Sequence, residues 1–363
     1  MPAMFVYWSM FLLPAIPGVL SDARRGELRG AGRLLLLALM FAFALLIGLR
    51  FEVGGDWFAY EEMIGNTQGE SLGVSLQYGD PGFMLLSWIS MNLGLGPQAP
   101  TFLCGAILMW GVAKFVGGLK EPWLALAASV PYLIIVVGMG YVRQAAAIGF
   151  LLLAIKQYEA GRTIAVVRWV FFASLFHATA LVLLPLFLLG QVRRNVLSIF
   201  GIGLVGTVLF GLFLSSRLDR FFLNYVDAEL ESSGALVRLA MNAVPAALYV
   251  LLFKRFEAPI HVRLFWLSAS LISLGLIILY YFTEASTVLD RLGLYFIPLQ
   301  LYVFGNLASV ISAKREFRIL ARYFVVVLYG SVLYIWLNFA THAEYWLPYQ
   351  FLPLTEGREL TYY

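Results

Sequence analysis

The chain is short of the residues on which most soluble enzymes depend. Its 363 residues include one cysteine and three histidines, and only 13% are charged. The lone Cys104 sits in an apolar run, so neither a disulfide framework nor thiol redox chemistry is implied. His177, His261 and His342 lie far apart and show no metal-ligand spacing. There is no glycine-rich phosphate loop and no G-x-S-x-G elbow. Nucleotide-driven and zinc chemistries are thereby disfavoured. No internal repeat is visible, which counts against transporter folds built from related halves. No stretch is long or polar enough to make a separate soluble domain.

What is abundant is apolar length. Hydrophobic residues make up 61% of the chain and the mean hydropathy is +0.84. A soluble domain is about 45–50% apolar and about 25% charged, so this composition describes an integral membrane protein. About 12 apolar segments can be marked, near 4–20, 34–50, 81–95, 101–118, 123–139, 141–158, 165–189, 196–214, 236–254, 263–283, 291–312 and 320–341. Long unbroken runs favour helices over a barrel, because each helix satisfies its own backbone in lipid. The expected fold is an all-α polytopic bundle of about 12 helices in one domain over 1–363, some of them re-entrant. The first segment lacks a basic leader and a cleavage site and is expected to be a retained helix.

Basic residues come in clusters: Arg24, Arg25, Arg29 and Arg33; Arg193 and Arg194; Lys254, Arg255 and Arg263; Lys314, Arg315, Arg318 and Arg322. The positive-inside rule places these loops in the cytoplasm and explains them without nucleic acid. The N-terminus and the loop from Phe51 to Asp80 then lie outside. That loop carries Glu52, Asp56, Glu61, Glu62, Glu70 and Asp80, and no lysine or arginine occurs between Phe51 and Ala113. Loops 215–237 and 283–290 and the tail from His342 also fall outside. With 12 simple crossings, 138–144 lands inside and Lys156, Arg162 and Arg168 land outside, which inverts the rule. A re-entrant 81–95 would move 138–144 outside, but 165–189 must then fail to cross fully. Irregular, partly re-entrant structure is expected here, because Pro81, Pro97, Pro100 and Pro131 interrupt the helices.

One stretch, LRFEVGGDWFAYEE (49–62), is too rich in chemistry for a plain connection. Arg50 closes an apolar helix, Gly54 and Gly55 let the backbone turn closely, and Asp56, Trp57 and Tyr60 follow. Asp56 and Tyr60 are four apart, so a helical turn puts them on one face. A guanidinium binds diphosphate oxygens through two hydrogen bonds. An aromatic ring stacks on sugar, and a carboxylate can take a proton from a hydroxyl. Together they suit a phosphorylated, sugar-bearing lipid at a membrane surface. The plainer reading, interfacial anchoring, explains the aromatics but not Gly-Gly-Asp.

Other constellations keep two readings each. In YVRQAAAIGF (141–150), Arg143 and Gln144 precede small residues that allow close helix packing. Arg143 is either a functional intramembrane cation or a helix-end arginine reaching the interface. His177 is either an interhelical hydrogen-bonding residue or a general base. Asp290 and Arg291 either neutralise each other or offer a second phosphate-binding arginine. Arg217, Arg220, Tyr225 and Asp227 mark a possible amphipathic surface helix. The terminal EYWLPYQ (344–350) reads first as an anchor, with Tyr349 kept as a candidate substrate contact.

Taken in order, these residues resemble a known family. Arg50, Gly54, Asp56 and Tyr60 match the R-x-x-x-G-x-D-x-x-x-Y signature of the EpsG family, which is similar to Wzy-type polysaccharide polymerases. The likeness continues through DPGF (80–83), VRQAAA (142–147), SLFHATA (174–180), DRLGLYF (290–296) and the terminal YWLPY, and so covers nearly the whole chain. Gly55 and Trp57 depart from the small and aromatic residues expected there. The resemblance implies a glycosyltransferase of O-antigen, capsule or exopolysaccharide synthesis, acting on undecaprenyl-diphosphate-linked oligosaccharide repeat units at the outer face of the bacterial inner membrane. The energy lies in the glycosyl-phosphate bond, so neither cofactor nor metal is expected. The partners implied are the lipid-linked units, the bilayer and a chain-length regulator. On this reading Arg50, Arg143 and Arg291 bind the diphosphate, with Trp57, Tyr60, Gln144 and Tyr349 also contacting substrate. Asp56 is the first choice of base and His177 the second. An O-antigen ligase, a membrane O-acyltransferase and a polysaccharide exporter or flippase are the competing readings.

Overall fold

The computed structural model describes residues 2–20, 30–189, 234–283 and 286–355. The expected segment 196–214 lies outside them, as do Arg24, Arg25, Arg29, Arg193, Arg194, Arg217, Arg220, Tyr225 and Asp227. The protein is an all-α polytopic membrane protein. Among the described residues the only β pairing is an isolated bridge between Arg50 and Phe351.

Seven helices among the described residues are long and apolar enough to cross a membrane. They are Ala31–Gly48, Gln98–Val116, Pro122–Gly140, Ala235–Arg255, Ile260–Tyr280, Ser286–Ile311 and Arg315–Phe339. Three shorter apolar helices, Phe5–Leu20, Thr163–Phe176 and Ala178–Phe187, accompany them. The helix Val142–Glu159 follows Pro122–Gly140 after a break at Tyr141. Pro122–Gly140 is the centre of the bundle, buried along its whole length. Pro131 falls inside it and cannot donate to the preceding turn. The chain answers with a π-helical stretch over Val130–Val137, whose wider turn accommodates the missing bond.

Small residues set the closest helix contact. Gly111 and Gly149 face each other so tightly that a Cβ on either would collide with the other helix's backbone. This is the close packing expected of AAAIG (145–149).

The contacts sort the chain ends of these helices into two poles. At one pole Thr101 Oγ1 donates to the Gly48 carbonyl at 3.1 Å, and Asp80 meets both Arg143 and His177. At the other, Glu121 pairs with Arg322, Lys120 with Glu257, and Tyr158 donates to the His261 carbonyl. Helix Pro81–Asn92, only 12 residues long, therefore starts and ends at the first pole. The apolar run 165–189 is also not one segment. It breaks at His177, whose backbone is extended (φ −157°, ψ 109°), and its second half returns to place Phe187 against Tyr158. Both irregularities together bring 138–144 to the pole of Arg50 and send Lys156 and Arg162 to the opposite one.

Candidate functional site

The loop after Gly48 is built as a strapped turn. Gly54 adopts φ +105°, where a side chain would strain the backbone and strike the Met139 carbonyl. The C-terminal segment crosses over this turn. Phe51 N donates to Gln350 O, Leu352 N to Leu49 O, and Gly54 N to Tyr345 O. Trp346 fixes the strap from below by donating from Nε1 to the Ile135 carbonyl at 3.2 Å. Helix Trp57–Gly65 then begins at Asp56.

Arg50 is enclosed, with two of its guanidinium nitrogens on backbone carbonyls and Nη2 without a hydrogen-bond partner among the described residues. Its side chain is 2% exposed. Nε donates to the Val53 carbonyl at 2.8 Å and Nη1 to the Ile47 carbonyl at 2.5 Å. Two arms of the fork thus staple the helix end to the turn. Tyr349 is similarly occupied, donating to the Leu46 carbonyl at 2.7 Å and standing edge-on to Tyr7. Trp57 is buried against Phe51 and Phe58 rather than presented as an open stacking face.

The polar centre forms around a residue that sequence reasoning placed in a motif but gave no role. Asp80 is 2% exposed, yet Oδ2 accepts from Arg143 Nη1 at 2.8 Å and lies 3.4 Å from His177 Nδ1. A carboxylate that deep survives only with such partners. Its contact holds the His177 ring by one nitrogen and leaves Nε2 on the other side. The His177 side chain keeps 18% of its surface exposed. The signal available was DPGF, where Asp80 precedes the Pro81 that starts a helix.

Tyr60 connects this centre to the opening stretch. Arg143 N lies 3.5 Å from its hydroxyl, and the guanidinium sits 5.8 Å from its ring centroid. Asp56 is half-buried. Burial pushes its carboxyl above the usual range, while Arg291 and then Arg143 draw it back down. Arg291 itself lies over the Tyr141 ring at 5.6 Å, and its carbonyl accepts from Gln144 Nε2 at 3.0 Å. The structure thus brings together Asp56, Tyr60, Arg143, Gln144, His177 and Arg291, with Asp80 at their centre, and sets Arg50, Trp57 and Tyr349 in the supporting wall.

Asp290 and Arg291, read from the sequence either as a self-neutralising pair or as the source of a second phosphate-binding arginine, have a further cation beside them. Asp290 takes a two-point contact from Arg238, at 2.5 Å to Nε and 2.8 Å to Nη2. Neighbours in sequence on a helix point about 100° apart, whereas Arg238 comes from a facing helix. Arg238 carried no assignment from sequence, because a contact between residues 52 positions apart leaves no local pattern. Among the described residues no three His, Cys, Asp or Glu side chains gather in metal-ligand geometry.

In this setting two neighbouring arginines can hold an anionic group while one carboxylate or one imidazole accepts a proton. Comparison with known proteins gives one match: the model of the EpsG family fits residues 33–351. No curated protein and no solved structure matches the chain.

Proposed function

The chain belongs to the EpsG family, a family of polysaccharide biosynthesis, and from that membership we propose a lipid-linked polysaccharide polymerase. It would transfer a glycan from undecaprenyl diphosphate to the next lipid-linked repeat unit at the outer face of the bacterial inner membrane. The observation that carries this reading is the cluster of Arg143 and His177 on the buried Asp80, with Arg143 and Arg291 also lowering the proton affinity of nearby Asp56, at a pole that holds the acidic opening loop. The opposite pole carries Lys120, Lys156, Lys254, Arg255, Arg263, Lys314 and Arg315, which supports a cytoplasmic assignment for it.

The proposed step is a displacement at the donor sugar's anomeric carbon. The acceptor hydroxyl forms the new C–O bond as the bond to diphosphate breaks. The electron pair leaves on undecaprenyl diphosphate, where Arg143 and Arg291 stabilise the developing charge. Asp56 receives the hydroxyl proton. Its partial burial raises its proton affinity, and an incoming diphosphate would raise it further by occupying the arginines that hold it down. A second reading gives the proton to His177. It rests on the Asp80 contact at Nδ1, the arrangement in which a third group orients a base.

The deciding experiment incubates the purified protein with a synthetic lipid-linked repeat unit in excess chelator and resolves the products by length. A ladder supports the proposal. Conversion only when a lipid A core acceptor is added points to an O-antigen ligase. Acylated but unextended units point to an O-acyltransferase, and unchanged substrate moved across a vesicle membrane points to an exporter or flippase.

A further inference from the structure

At the pole opposite this site, a cleft of about 410 Å³ opens between helices Ala31–Gly48 and Gln98–Val116. Its walls are Leu36, Leu37, Trp110 and Ala113, and its floor is shortened by Gly117 and Gly118, which place no side chain there. Two cations, Arg33 and Lys114, stand at its rim. Both are exposed, and neither side chain forms an ion pair with another described residue. The nearby Lys156 is different, since Glu159 already neutralises it at 2.6 Å.

We propose that this cleft binds an anionic glycerophospholipid, with the phosphate between Arg33 and Lys114 and an acyl chain along Leu36, Leu37 and Trp110. Three features select that occupant. The cleft is amphipathic along one axis: cations at the pole, then apolar walls toward the middle of the bundle. Leu37 and Trp110 stay exposed on helices long enough to span a bilayer, so the cleft faces lipid. Arg33 also sits in the first turn of its helix, where the dipole disfavours a cation, and a bound phosphate offsets that cost. A soluble anion would use the two charges but leave the apolar wall uncovered. Basic pockets between membrane helices recognise anionic headgroups by this same combination.

The test uses the full chain purified in neutral detergent and counts bound lipid by native mass spectrometry during titration. The probes are phosphatidylglycerol, phosphatidylcholine with the same acyl chains, and inorganic phosphate. One phosphatidylglycerol should bind with preference over phosphatidylcholine. Arg33→Gln with Lys114→Gln should weaken it about 10–30-fold, the worth of two cations at an anionic surface. Ala113→Leu, which keeps both charges and narrows the cleft, should weaken it as well. Lys314→Gln with Arg315→Gln, at the same pole but outside the cleft, should leave it unchanged. Three results would each overturn the proposal: equal binding of both lipids, an equal loss in the Lys314/Arg315 variant, or displacement of phosphatidylglycerol by equimolar inorganic phosphate.

Discussion

Asp80 and Asp56 are both carboxylates near Arg143, and their environments give them opposite sensitivities. Asp80 is sealed and committed to two partners. Truncating it to alanine removes the partner of the Arg143 guanidinium, whose side chain is 26% exposed, so the loss falls below the about 3–5 kcal/mol of a fully buried pair. Asp80→Ala should therefore lower the melting temperature in detergent along with activity. Asp56 is less enclosed and holds no such position. Asp56→Asn should leave melting unchanged and reduce ladder formation about 10²–10⁴-fold, the usual worth of a general base. Because its proton affinity is raised, the acid limb of the wild-type rate profile should lie above the ordinary Asp range, with activity rising as the group ionises. Normal ladders from Asp56→Asn, together with loss in His177→Gln, would move the role to His177. Glu61 supplies a stability test at this scale. Burial first, then Glu52, raises it to about 7. The folded chain then binds more protons than the unfolded chain between the ordinary Glu value and about 7, so Glu61 ionisation removes stability as pH rises through that window. Glu61→Gln should raise the melting temperature at pH about 8 and change it little at pH about 4. At residue scale the sequence shows chemistry but not enclosure. Arg50 and Arg143 look alike in a string, and only packing sets one on backbone carbonyls and the other against the Asp80 carboxylate.

At the scale of elements, most long helices are legible because apolar length alone announces them. The irregular ones are not. Nothing in the apolar run 165–189 interrupts its hydropathy strongly, yet the chain turns at His177, where a polar ring reaches Asp80. A tertiary contact made the break, and a contact with a residue 97 positions away is invisible to periodicity. The aromatic tail poses the same problem. YWLPY has the composition of an interfacial anchor, but Trp346 is buried and its carbonyl and indole bind Tyr7 and Ile135. It acts as a strap over the loop that begins at Arg50. Trp346→Ala should cost about 3–5 kcal/mol, as for other buried tryptophans. The melting curve reads that cost. If the tail only anchored the protein at the interface, melting would not move and only the membrane-inserted fraction would fall.

At the scale of the whole molecule, the two poles differ in the sign and placement of charge, and that asymmetry gives the orientation its physical basis. Cytoplasmic retention of lysine and arginine acts on short loops near helix ends. Two crossings counted from hydropathy alone had put 138–144 on the wrong side of that rule. Helix Pro81–Asn92, which returns to its own pole, and the break at His177 remove the conflict by placing 138–144 at the site's pole and Lys156 and Arg162 at the opposite one. The site therefore stands at the pole with the acidic loop, and the basic loops cluster at the other. In a Cys104→Ala background, a single cysteine at Gly69 should react with an impermeant thiol reagent added to intact cells, because that position is exposed at the site's pole. A cysteine at Ala313 should react only after the membrane is opened, since it follows the helix that ends at Ile311 beside Arg255. Cys104 is fully buried, so its removal should not alter either result. Labelling of Ala313 alone in intact cells would reverse the orientation and place the Asp56 site in the cytoplasm, where an outer-face polymerase could not use it.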